Sequence, residues 1–154
     1  MTDYDSTADT LKHIKRVNEL MGMAARELIR RGNSHDDSKL KNPEKPEFDR
    51  LTPILKTLTY GSDEYKASLQ ELQVALKHHY NHNSHHPEFF GDLLVDGMDL
   101  FDVIEMFFDW KAATERMDTG DIYKSIEINK VRFKMSDQLC AIFENTARRL
   151  GWEK

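Results

Sequence analysis

Apolar positions recur along this chain at intervals of three and four, and almost nowhere in strict alternation. Leu11, Ile14, Val17, Leu20, Ala24 and Leu28 trace one face of a helix expected from about 7 to 31. Gly32-Asn33 reads as its stop, and Arg30 and Arg31 suit the negative end of its dipole. Ser34-His35-Asp36-Asp37-Ser38 then opens a short new element. Pro43, Pro46 and Pro53 mark 41–53 as loop and short helix. Ser62 or Asp63 is expected to cap the next helix, which runs to about Tyr80 with Leu69, Leu72 and Leu76 on one face. A polar loop, NHNSHHPE, follows over 81–88. Leu100, Phe101, Ile104, Phe107 and Phe108 make the core face of a helix from about 99 to 117, and a short segment around 122–128 lies beyond Gly120. Ser136 caps a last helix whose stripe is Leu139, Ile142, Phe143 and Ala147, ending near Gly151. The expectation is an all-α protein, one domain over 1–154, built as a compact bundle of about five or six helices.

Composition narrows the function classes. Hydrophobic residues at 39% and charged residues at 32% describe a globular chain rather than a disordered one. The net charge is -5 and no Lys/Arg block stands out, so duplex nucleic acid is not expected as a partner. A small anionic ligand stays compatible, because a metal supplies local positive charge. Cys140 is the only cysteine, which excludes a disulfide framework; its run Leu139-Cys140-Ala141-Ile142-Phe143 reads as core. The start, MTDYDSTADT, is neither signal nor transit peptide, and no apolar stretch approaches the ~20 residues of a membrane span. A cytoplasmic protein without membrane contact is expected, with room for a homodimer.

The histidines carry the candidate chemistry. Of seven, five crowd between 78 and 86. His13 shares a helix face with Val17, Leu20 and Ala24, so it is either a ligand or a core imidazole bonded to a backbone carbonyl. His35 and Asp36 are adjacent at the start of a short element. Both can turn toward one cation, and an imidazole with a carboxylate suits Mn, Fe, Co, Ni or Zn. The competing reading is a cap, with Asp36 or Asp37 accepting backbone N–H bonds. Asp102, Glu105 and Asp109 line up at helical spacing, as a solvated acidic face or as groups screened by a cation. Asp109, one position past Phe108 and just before Trp110, is the best late ligand.

His13 in LKHIKRV, His35-Asp36 in HDDSK and Asp109 in VIEMFFDWKAA together resemble the HD-domain superfamily of metal-dependent phosphohydrolases. HDDSK also resembles the HDxxK variant of cyclic-nucleotide-cleaving members, which draws in Lys39. HDDSK, HHYNHNSHHPE and FDW further resemble a family of small uncharacterised proteins of phage and bacterial genomes, over most of the chain. The superfamily resemblance implies an HD-like helical bundle, metal ligands His13, His35, Asp36 and Asp109, and a metal-activated water attacking a nucleotide or other small phosphate ester. The dense histidine run departs from the simple one-metal pattern. His79 continues the stripe Leu69-Leu72-Leu76 and is expected to face inward; His85 or His86 can close on the same cavity, with a second metal as one outcome. Lys39 would attract phosphate. Asp37, Glu44, Glu88 and Glu105 are candidates for the acid-base group, and Glu105 equally for holding a ligand histidine. Two other readings stand beside hydrolysis: a di-iron oxygenase of the same superfamily, and a non-catalytic phage factor that binds metal or nucleotide.

Overall fold

The computed structural model describes residues 4–55, 57–58, 63–116 and 120–152, with the side chains of Tyr65, Lys66 and Leu69 left out. The described chain is all-α: seven α-helices, two 3-10 segments and no strand. No helix among the described residues is long and apolar enough to cross a membrane. The chain divides into two compact units, Met1–His35 and Asp36–Lys154.

The first unit is one helix, α1, Thr7–Ser34. It runs three residues past the expected end at Arg31, through the Gly32-Asn33 stop. The Ser34 hydroxyl donates to the Arg30 and Arg31 carbonyls at 3.2 and 3.4 Å, occupying acceptors that a helix end leaves over. No residue of α1 is buried. The expected inward face from Leu11 to Leu28 is thus not realised within this unit, because burial needs a second layer and one helix has none. His13 is exposed on it, and His35 forms its C-cap.

Asp36 opens the second unit in the left-handed conformation, φ 60°, which Asp tolerates better than most residues. A 3-10 turn, Asp37–Leu40, leads into α2, Glu44–Leu55. The loop and the helix expected over 41–53 are both present, the loop at 41–43 and a helix of 12 residues after it. Pro43 precedes α2, and Pro46 lies in its first turn, where a missing N–H costs nothing; only Pro53 is interior. Helices α3, Asp63–Glu71, and α4, Gln73–His82, replace the single helix expected there. The break falls at Leu72, whose side chain is buried with Leu51 and Ala75 against Phe48 and Leu76. Gly61 and Ser62, the other side of the expected cap, lie outside the described residues, as does Met117.

A kinked 3-10 segment, Pro87–Gly97, joins α4 to α5, Leu100–Thr114. Asp99 caps α5 by accepting from the Phe101 and Asp102 amides, while the Asp102 carboxylate accepts from the Asp99 amide at 3.1 Å and from the Ser84 hydroxyl at 2.6 Å. Asp102 is therefore buried in a capping box rather than part of a solvated acidic stripe. Phe107 is buried as expected, and Met106 with it, whereas Leu100 and Phe108, also expected in the core, are exposed. Helix α6, Ile122–Phe133, extends beyond the segment expected around 122–128, and Asp121 caps it. Helix α7, Asp137–Arg149, begins at the expected Ser136 cap. It ends on Gly151 at φ 70°, where Trp152 N–H reaches Ala147 and Gly151 N–H reaches Arg148, the pairing that a left-handed glycine permits. Helices α5, α6 and α7 share the larger core, which includes Ile126, Phe133, Cys140, Phe143 and Ala147.

Candidate metal centre

The site begins with α4. His79 lies four residues after Ala75, so the helix carries it onto the buried face, where it is 1% exposed. Its Nδ1 lies 2.9 Å from Glu44 Oε2. Glu44, the first residue of α2, is itself fully buried, and its other oxygen lies 2.7 Å from His78 Nδ1. The Ser38 hydroxyl is 2.9 Å from both Glu44 Oε2 and His79 Nδ1, and the Asn83 amide donates to Ser38 and to the His79 carbonyl. Burial opposes ionisation of Glu44, but hydrogen bonds from His78 and Ser38 and the field of His79 outweigh it and hold the carboxyl below its ordinary range. An ionised carboxylate accepts only. The His79 proton on that side therefore belongs to Nδ1, and the ring turns its Nε2 the other way.

His85 repeats the arrangement. It is 3% exposed, with Nδ1 at 3.1 Å from Glu105 Oε1 on α5, so its Nε2 also faces inward. The two inward nitrogens meet Asp36: His79 Nε2 is 3.1 Å and His85 Nε2 3.5 Å from Asp36 Oδ1. His86 Nε2 lies 2.9 Å from His79 Nε2. Ligand atoms of Asp36, His79, His85 and His86 all fall within 4.8 Å of one another. Lys39 Nζ holds the second Asp36 oxygen at 2.6 Å. Burial works against the Asp36 charge, yet without a metal the hydrogen bonds that His79, His85 and Lys39 donate outweigh it and depress its pKa strongly; a cation would take the place of the two imidazole protons. Burial, followed by the neighbouring His85 and His79, lowers the His86 pKa to about 3, so that ring is neutral at any physiological pH.

Four electron-pair donors thus face one another with one negative charge among them. At 2.9–3.5 Å such atoms repel unless a proton or a cation lies between them. One divalent cation would serve all four at once. Bonds of about 2.0–2.2 Å from nitrogen and oxygen place neighbouring ligands about 3.0 Å apart at right angles and about 3.4 Å apart in a tetrahedron. The three separations given above lie close to those values, and three imidazoles with one carboxylate suit Zn, Fe, Co, Ni or Mn.

Of the residues expected from the sequence, Asp36, His79, His85 and His86 come together within the second unit. Asp109 offers a carboxylate oxygen within 4.8 Å of a His85 ring nitrogen. Glu105 takes the orienting alternative, holding a histidine. Lys39 is paired with Asp36 rather than held out for a phosphate. Asp37 is exposed in the first turn of its 3-10 segment. His13 and His35 belong to the first unit and are not among these four. Ser38 and Asn83 were missed as supports, and Glu44 was read as an acid-base candidate instead of a buried clamp. Their only sequence signal is a polar residue on a face that turns inward.

Glu44→Gln keeps the shape but loses the charge that fixes two tautomers. Metal affinity, measured by competition with a chelating dye, is expected to fall about 10- to 100-fold, with helix content unchanged. An unchanged affinity would mean that Glu44 does not orient His79.

A protein-family model described as "Family of unknown function (DUF5662)" matches residues 2–149. No curated protein matches the chain, and no solved structure does.

Proposed function

Because the chain belongs to the DUF5662 family, whose function is unknown, we propose its chemistry from the site itself: a metal-dependent phosphohydrolase acting on a small phosphate ester, a nucleotide among the candidates. The observation that carries this reading is the convergence of three imidazole Nε2 atoms and Asp36 Oδ1 with separations that suit ligands of one metal. A bound divalent metal supplies Lewis acidity and a water acidified toward neutral pH. The chain's own residues do the rest. Glu44 and Glu105 keep His79 and His85 in the tautomer that offers Nε2. Lys39 neutralises the outer oxygen of Asp36 and brings positive charge to the edge of the site. His86 and Asp36 are only half-buried, so water and substrate approach on their side. Asp109 serves as a further ligand or as the base that takes the water's proton. The HD-superfamily resemblance belongs to this proposal, and through the sequence pattern alone it nominates His13 and His35.

The test is metal analysis of freshly purified protein followed by phosphate-release assays. About one equivalent of a transition metal is expected, with phosphate released from at least one ester when Mn, Co or Ni is added. Asp36→Ala should strip the metal while leaving the helices, and His35→Ala measures whether the first unit contributes. No turnover over a broad panel of nucleotides and sugar phosphates with any divalent metal would replace this reading by a non-catalytic metal binder. Two irons and a coloured protein would replace it by an oxygenase.

A further inference from the structure

A cavity of about 420 Å3 lies along α4, beside the metal-ligating cluster and not used above. Its floor is one face of the helix, where Leu76, Lys77, Tyr80 and Asn81 follow Gln73 at helical spacing. The facing wall is Glu88, from the 3-10 segment, ion-paired at 2.6 Å with Arg132 from α6. Tyr80 is the partition between cavity and metal centre: its ring centroid lies 4.8 Å from that of His86 and 6.1 Å from that of His79.

The chemistry of the lining selects a ligand class. Glu88 Oε1 takes the Arg132 guanidinium, but Oε2 is buried and has no hydrogen-bond partner among the described residues. A carboxylate oxygen accepts more than one hydrogen bond, so the Glu88–Arg132 pair keeps acceptor capacity for an O–H or N–H of a ligand. Among the described residues Leu76 and Tyr80 are its apolar walls; the others are two amides, an ammonium, a guanidinium and a carboxylate. A flat base wants apolar surface on both faces. A hydroxylated ring wants what is present: one aromatic face for its C–H side, Glu88 to accept from its hydroxyls, and the Asn81 and Gln73 amides to donate and accept. Lys77 adds a cation for a phosphate. The volume falls within the range of small-ligand sites.

We propose that this cavity is the recognition subsite of the same centre and takes the polyhydroxylated part of a sugar phosphate, with its phosphate directed past Tyr80 toward His86. The inference rests on the hydrolase reading above and deepens it by naming the substrate class.

Two measurements keep the two claims apart. Calorimetry on metal-stripped protein compares ribose 5-phosphate and glucose 6-phosphate with adenosine monophosphate and inorganic phosphate. The sugar phosphates should bind more tightly than either comparison ligand. Glu88→Gln and the exposed Asn81→Leu should each weaken them about tenfold, the effect of one hydrogen bond to a charged or amide group. Phosphate release with metal present is then followed in the same variants. No sugar-phosphate binding, tighter binding of the nucleotide, or affinity and KM unmoved by both subsite variants would overturn the subsite, whatever the metal does. Glu88-dependent binding without turnover keeps the subsite and removes the hydrolase. Turnover of sugar phosphate with KM unmoved does the reverse.

Discussion

His79→Ala is expected to remove the bound metal and to cost about 3–5 kcal/mol of stability in the metal-free protein. Both effects come from one ring at the meeting point of two networks. Its Nε2 is within 3.1 Å of Asp36 Oδ1 and His86 Nε2, so its loss takes away a ligand and opens the others. Affinity should drop at least about 100-fold, the upper end of what losing a mere supporting group costs. Its Nδ1 partners the fully buried Glu44, and alanine would leave that carboxylate with His78 and Ser38 alone, over a cavity the size of an imidazole. His82→Ala is the control. That ring is exposed one turn on, stacks on His78 and bonds the His78 carbonyl, so neither metal content nor stability should move much. Metal analysis and urea denaturation of both variants decide. Full metal occupancy in His79→Ala would dismiss the proposed ligand set.

Phe143→Ala should destabilise the protein by about 3–5 kcal/mol, a large part of the roughly 5–15 kcal/mol that holds an ordinary domain. Phe143 on α7 is 3% exposed and stacks on Phe107 of α5, ring centroids 4.6 Å apart and planes 2° apart, with the edge of Trp110 at 5.9 Å. Truncation removes the group that joins α7 to α5, and flat neighbours cannot close the hole. Urea melts should show a lower midpoint with little change in slope. The folded fraction should still bind metal, because the ligands come from Asp36 and from the 79–86 stretch and not from α7. A cost below about 1 kcal/mol would mean that the stack is not part of the core. Loss of metal at full folding would mean that the two regions are coupled.

Much of this protein is legible one residue at a time. The 3.6-residue period announces the helices, since amphipathic spacing is a property of the local chain. Ser136 and Gly151 mark the ends of α7 because capping and left-handed backbone are decided within a turn or two. His79 was placed inward by the stripe that runs through Leu72 and Leu76. Cys140 was placed in the core by its apolar neighbours, and burial raises its thiol pKa accordingly.

Other features depended on packing between elements distant in sequence. Pro43, Pro46 and Pro53 pointed to loop and short helix, but α2 runs for 12 residues, because its buried Leu51 and Glu44 have partners on α4 and in the turn before it. Leu100 and Phe108 have the spacing of a core face, but the layer that would cover them is elsewhere. The roles of the carboxylates were least legible. Asp102, Glu105 and Asp109 form one stripe in the sequence, yet the first caps a helix, the second holds His85 and the third lies beside the cluster. Local sequence by itself determined the helical class and which residue types could bind a cation. Only the tertiary structure decided that Glu44 and Glu105 aim the rings, because a tautomer is set by what touches the far nitrogen, and that partner comes from another helix.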